Sequence, residues 1–208
     1  MTSSEFLLYI EKYRPTIDAI RVCAHQIHAS VNQTYDGHPY ALHLDMVADV
    51  VRQYGHAVCA VETDVVPLLF GAYFHDSIED ARLTYGDVTR TARRWMTDEQ
   101  ALMAAEIVYA LTNDKGRTRA ERAGEKYYQG IRETPYAPFV KLADRVANIN
   151  YSCTNGNECN SRMKEVYRQE MPHFLDAIDA HSEDPRLGVT KALVESLIID
   201  NGQLILDN

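Results

Sequence analysis

Positive charge is scarce in this chain. Lys and Arg number 21 against 30 Asp and Glu, a formal net charge of -9. Sequence-independent binding to DNA or RNA needs a basic surface, so that class of function is disfavoured. A small anionic substrate stays open, because one pocket can be locally positive inside an acidic protein. Cysteine is sparse as well: Cys23, Cys59, Cys153 and Cys159 are scattered, and no two have the close spacing of a zinc site. They read as reduced thiols. No apolar stretch approaches the length of a membrane span, and the N-terminus, with Glu5, Glu11, Lys12 and Arg14, lacks a charged-then-apolar signal pattern. The expectation is a soluble, cytoplasmic protein.

Period-two alternation is missing too. Every long segment reads at the helical period, and no repeat or low-complexity tract interrupts it. Phe6, Leu7 and Ile10 mark an opening helix over 3–12. Thr16 is expected to cap a helix after Pro15, with Ile17, Ile20, Ala24 and Ile27 on its apolar face. A turn-rich loop over 32–39 holds Gly37 and Pro39, and a helix follows over 40–54. Thr63 is expected to cap a third helix with Pro67 in its first turn. Thr84 with Asp87 and Thr97 with Gln100 have capping-box spacing, for helices ending near 94 and 111. A turn at 113–116, a charged helix over 118–131, a helix over 140–151 and a loop at 155–157 come next. Helices over about 161–180 and 185–199 close the chain. The fold class expected is all-α. Its 208 residues suit one domain, 1–208, with a core over about 20–152 and C-terminal helices over about 160–200.

Chemistry concentrates where an apolar run meets charge, at Leu68-Leu69-Phe70-Gly71-Ala72-Tyr73-Phe74-His75-Asp76-Ser77-Ile78-Glu79-Asp80. On a continuing helix, His75 and Glu79 share one strip and Asp76 and Asp80 the next. Like charges at that spacing cost roughly 0.2–0.5 kcal/mol even when exposed, and more beside a buried segment unless a cation lies between them. Imidazole with carboxylate is a common ligand set for a divalent metal. The alternative is a solvated helix end with one stray histidine.

Three further stretches can complete such a site. Gly37-His38-Pro39-Tyr40-Ala41-Leu42-His43 places His43 at a core edge. Val140-Lys141-Leu142-Ala143-Asp144-Arg145-Val146-Ala147-Asn148-Ile149 puts Asp144 and Asn148 on one strip, where Lys141 or Arg145 is the bland partner for the carboxylate. Leu111-Thr112-Asn113-Asp114-Lys115-Gly116-Arg117 offers cations that meet phosphate or face water.

In order, His43, then His75-Asp76, then Asp144 resembles the H…HD…D signature of the HD metal-dependent phosphohydrolases, an all-helical superfamily. The likeness extends to the hydrolase domain of the RelA/SpoT alarmone enzymes. That family's G-x-P-Y-x-x-H matches 37–43 and its H-D-T-V-E-D-T matches 75–81. Its L-T near a lysine matches 111–115, and its K-L-A-D-R-L-x-N matches 141–148. The blocks fall in order between about residues 20 and 152.

The resemblance implies that His43, His75, Asp76 and Asp144 hold one divalent ion, Mn2+ in this family. It implies Glu79 as general base and Asp80 as its positioning partner. Lys141, Arg145, Asn148, Tyr40 and Lys115 are the implied substrate contacts. The implied reaction removes the 3′-pyrophosphate from guanosine tetra- or pentaphosphate, giving GDP or GTP and pyrophosphate, in a stand-alone hydrolase. The implied partner is therefore a small nucleotide, with no nucleic acid and no membrane; nothing in the residues signals an oligomeric state.

One departure bears on the base: between His25 and His43 there is no Lys or Arg, where the family carries cations that pack on guanine. Tyr35 or Tyr40 is an aromatic substitute for stacking. The alternatives are an HD hydrolase acting on another nucleotide, a nucleoside phosphate or NADPH, and a nucleotide-binding regulator without turnover. The other histidines, His25, His28, His38, His56, His173 and His181, read as ordinary surface or core residues.

Overall fold

The chain folds around one helix that is apolar on every side. In the computed structural model, which describes residues 1–113, 117–154, 161–179 and 181–188, all ten residues of α4 (Val65–Phe74) are buried. A helix without a polar face must be covered all round. Its neighbours are α1 (Ser3–Lys12), α2 (Arg14–Ser30), α3 (Ala41–Tyr54), α6 (Asp98–Leu111) and α9 (Ala137–Thr154). Leu68, Leu69, Phe70 and Phe74 of α4 have no solvent exposure, and full burial of each such side chain contributes about 1.5–3 kcal/mol. Phe70 and Phe74 stack at 4.1 Å. Gly71 admits α6: a Cβ there would lie 2.6 Å from Ile107 Cγ2.

The remaining helices are α5 (Tyr85–Ala92), which packs on α6, then the short α7 (Arg119–Arg122), α8 (Glu125–Glu133) and α10 (Ser161–Ile178). Helix α10 lies on α9 and α8. Buried side chains form one cluster from Phe6 in α1 to Ile178 in α10. Besides helix there is one antiparallel pair among the described residues, β1 (Thr34–Tyr35) with β2 (His38–Pro39). Asp36 and Gly37 make its turn with φ of 50° and 80°, the two left-handed positions that an Asp-Gly pair favours in a tight hairpin. The architecture is all-α, as expected, with this hairpin where a loop was anticipated. Two-residue strands are too short for alternation to register.

The capping boxes at Thr84/Asp87 and Thr97/Gln100 are both formed. Thr16 and Thr63 do not cap. Helix α2 starts earlier, at Arg14, and takes Pro15 into its first turn. A 3-10 turn over Glu62–Asp64 precedes α4, so Asp64 occupies the cap position. The helix expected over 118–131 is broken at Gly124 into α7 and α8. Helix α4 ends at Phe74, and 75–80 is a run of turns rather than its continuation. The Ser77 N–H donates to the Phe74 carbonyl at 2.8 Å and the Asp80 N–H to the Asp76 carbonyl at 2.8 Å. Residues 185–187 form a turn, and the rest of the helix expected over 185–199 lies outside the described residues. So do the loop at 155–157 and most of the turn at 113–116.

The start of α4 is held from α9's side of the core. Buried Asp64 accepts a hydrogen bond from the Tyr136 hydroxyl, and the same oxygen accepts from the Ala60 N–H at 3.2 Å. Tyr136→Phe strips a partner from the buried Asp64 carboxylate and from the Ala60 N–H. Unfolding free energy in urea should fall by about 1–3 kcal/mol, and a change below about 0.5 kcal/mol would contradict this account.

Candidate metal centre and active-site cavity

Three helices converge at the C-terminal end of α4. The first turn of α3 presents His43, the end of α4 presents His75 with Asp76 just beyond, and the middle of α9 presents Asp144. Because α3 packs on both α4 and α9, these side chains are brought to one point. His43 Nε2 and His75 Nε2 lie 3.2 Å apart. Asp144 Oδ1 is 3.3 Å from His43 Nε2 and 4.0 Å from His75 Nε2. Asp76 Oδ2 is 2.9 Å from His75 Nε2 and 3.6 Å from His43 Nε2.

This donor set suits a divalent metal. Donor atoms of His43, His75 and Asp144 all lie within 4.8 Å of one another, and Asp76 Oδ2 adds a fourth beside them. His75 Nδ1 is 2.9 Å from the Ala72 carbonyl; a carbonyl only accepts, so Nδ1 carries a proton and Nε2 is the nitrogen turned to the cluster. His43 differs, since its buried Nδ1 has no hydrogen-bond partner.

The electrostatics show two carboxylates held by the imidazoles. Burial alone would pull His43 down, but Asp144 and Asp76 outweigh it and raise its pKa to about 9. His75 is raised in the same way, burial opposing and Asp76 and Asp144 prevailing. Asp76 is held well below the carboxylate range: burial opposes this, and His75 and His43 outweigh it. Asp144 is lowered likewise, with Lys141 the strongest opponent of burial and the two histidines next.

A ring of further groups fixes these four. The Tyr40 hydroxyl donates to Asp76 Oδ2. Lys141 Nζ donates to Asp144 Oδ2 at 3.0 Å. Asn148 Nδ2 donates to Asp144 Oδ1 at 2.6 Å and to the Asp144 carbonyl at 2.9 Å, while its Oδ1 accepts from the Tyr35 hydroxyl at 2.8 Å. Asn148, expected at the substrate, thus has both amide N–H bonds engaged on Asp144, and Lys141 also spends its charge there.

The cluster forms part of the wall of a cavity of about 700 Å³. Glu79, Asp80, Tyr40, Lys141, Arg145 and Asn148 also line it. Lys115 lies outside the described residues. Burial, followed by the neighbouring Asp76, raises the Asp80 carboxyl. Glu79 is held by Asn113 Nδ2 at 2.8 and 3.1 Å, with Arg122 Nη1 at 3.8 Å. Arg145 turns to Glu170 at 2.8 Å and lies over the rings of Phe174 and Tyr167 at 4.5 and 5.0 Å.

Sequence reasoning did not single out Arg122, Glu170 or His173 as cavity residues, though all three line it. His28, read as a surface or core histidine, is a core one, fully buried and stacked on Tyr40 at 4.7 Å. No local spacing marks such residues, because tertiary packing alone brings them to the site.

The helical scaffold and the order of these residues resemble those of the HD-domain hydrolases, and of the RelA/SpoT-type hydrolase domain among them. The chain is similar to guanosine-3′,5′-bis(diphosphate) 3′-pyrophosphohydrolase MESH1 of Mus musculus, 26% identical over 153 residues, which is 73% of this chain and 78% of that protein. It is likewise similar to the MESH1 enzyme of Danio rerio, 26% identical over 134 residues, 64% of this chain and 67% of that protein. No family model matches the chain, and no solved structure matches it. Among the described residues no helix is long and apolar enough to cross a membrane.

Metal-stripped protein should lose stability toward alkaline pH. His43 binds its proton more tightly folded than unfolded, so its contribution is complete below pH 6.5 and disappears as pH rises through about 9. The depressed carboxylates act oppositely: their contribution is present above their ordinary 3.8 and is lost on acidification below it. Thermal midpoints measured in chelator should therefore fall from pH 6.5 to 9; a flat or rising profile over that window would refute the assignment.

Proposed function

We propose that this chain is a metal-dependent phosphohydrolase that removes the 3′-pyrophosphate from guanosine tetra- or pentaphosphate, leaving GDP or GTP. The observation that carries the reading is the convergence of His43, His75, Asp76 and Asp144 at one point, with His43, Asp76 and Asp144 lining the cavity beside Glu79 and Asp80. The activity named for the two MESH1 relatives supports the substrate.

Those four residues would hold a divalent ion, Mn2+ by resemblance, which when bound would polarise a phosphoryl oxygen and make water more acidic. The chain's own groups do the rest. Glu79 accepts the proton of the attacking water, steadied by Asn113 and Arg122. Asp80 positions that water from the neighbouring wall. Tyr40 and Asn148 hold Asp76 and Asp144 in place. Among the described residues Arg122, Lys141 and Arg145 line the cavity, and each already faces a carboxylate: Glu79, Asp144 and Glu170 respectively. All three being engaged, the charge that meets a polyphosphate would come from the metal ion.

One observation favours a second reading, another nucleotide such as NADPH or a nucleoside phosphate. The hairpin before His43 carries no Lys or Arg, and its Tyr35 ring lies on His43 at 4.8 Å, so the usual cationic platform for guanine is absent.

The test is turnover by purified protein, metal-stripped and Mn2+-reconstituted, on guanosine tetraphosphate, its adenosine analogue and NADPH, scoring pyrophosphate and orthophosphate separately. Mn2+-dependent pyrophosphate release from the guanosine compound is expected. It should fall by about 10²-fold or more in Glu79→Ala and be lost in Asp76→Ala. Orthophosphate from NADPH without pyrophosphate from the alarmone would move the assignment to the second reading. In the slow Glu79→Gln variant, guanosine tetraphosphate should bind at least about tenfold more tightly with Mn2+ than in chelator. Equal affinities would contradict the charge argument.

A further inference from the structure

We infer that Tyr35, on the hairpin, is a positioning residue for the metal centre, doing for His43 and Asp144 what the Ala72 carbonyl does for His75. The inference rests on the metal-bearing reading of the site.

The asymmetry between the two histidines is the starting point. His75 is oriented through its Nδ1–H on the Ala72 carbonyl at 2.9 Å. His43 has no such anchor, for its Nδ1 is buried and unpartnered. A metal-binding imidazole normally depends on a hydrogen bond at its far nitrogen to set ring orientation. What His43 has instead is a ring on its face: Tyr35 stacks on it at 4.8 Å with 13° between planes. Tyr40 meets it edge-on at 5.4 Å. These two tyrosines leave the imidazole little freedom to rotate.

Tyr35 also reaches the other side of the cluster. Its hydroxyl donates to Asn148 Oδ1 at 2.8 Å, and Asn148 Nδ2 donates to Asp144 Oδ1 at 2.6 Å. That bond uses the amide oxygen, leaving both amide hydrogens for Asp144. One half-buried side chain therefore touches a residue of α3 and, through Asn148, sets a carboxylate of α9. The hairpin that presents it is itself pinned to α9, where the Tyr151 hydroxyl donates to Asp36 Oδ2 at 3.0 Å. Tyr151 and Tyr35 also meet edge-on at 4.8 Å. With its ring stacked on His43 and its hydroxyl bonded to Asn148, Tyr35 is fixed to the cluster on two sides.

The experiment uses MnCl2 alone as probe. Free Mn2+ is followed by its aqueous electron-spin resonance signal in the parent, Tyr35→Phe, Tyr35→Ala, Asn148→Ala and the Tyr35→Phe/Asn148→Ala double variant, with unfolding midpoints of the metal-free proteins in parallel. Tyr35→Phe keeps the stack and loses the hydroxyl; its Mn2+ dissociation constant should rise by about tenfold, and that of Tyr35→Ala by up to about 100-fold. In Tyr35→Phe the loss of Mn2+ affinity should exceed any loss of metal-free stability, which a purely structural residue would not show. The double variant should bind Mn2+ no more weakly than Asn148→Ala alone, because the hydroxyl acts through the amide. Mn2+ affinity within twofold of the parent in both Tyr35 variants would overturn the inference while leaving the metal site standing. Additive losses in the double variant would overturn the route through Asn148. A parent that binds no Mn2+ would overturn the metal reading and this inference with it.

Discussion

Two carboxylates held beside the end of a fully buried helix are the constraint on which the rest of the structure depends. Asp76 and Asp144 stand where α4, the most apolar element of the chain, gives out. Buried negative charge is tolerated only with compensation, and the fold supplies it from every neighbouring element. Two imidazoles come from α3 and α4, an ammonium from α9, and hydroxyl and amide donors from Tyr40 and Asn148. The core's shape and the cluster's chemistry are thus one problem with one solution. Gly71 belongs to that solution, since its missing side chain lets Ile107 of α6 lie against the helix that aims His75.

Much of this was readable from residue order alone, and the reasons are physical. Capping boxes at Thr84/Asp87 and Thr97/Gln100 are closed over three residues, so local sequence decides them. The order His43, His75-Asp76, Asp144 was legible because it resembles a known pattern, and the structure brings the four side chains together. Thr16 and Thr63 look like caps in isolation, but Tyr13 and a 3-10 turn start those helices instead. The helix expected through His75 and Glu79 stops at Phe74. Only in three dimensions is the Ala72 carbonyl seen to take a bond from the His75 ring.

The layer of groups behind the ligands was not legible at all. Tyr35 and Asn148 lie 113 positions apart, and nothing in either segment signals the other. Lys141 and Asn148 were expected at the substrate because such residues stand there in the resembling family; here both spend their hydrogen bonds on Asp144. Polar side chains near a catalytic cluster divide between holding the cluster and holding its ligand, and that division is settled by packing rather than by residue type.

Arg145 follows Asp144 directly on α9. Its guanidinium is clasped between Tyr167 and Phe174 of α10 and bonded to Glu170 on the same helix. Consecutive residues on a helix point about 100° apart and turn as a unit. Any roll of α9 that re-aimed Asp144 at the cluster would have to drag Arg145 out of its aromatic clasp. Helix α10 therefore works as an angular stop, setting the bearing of Asp144 through the residue beside it.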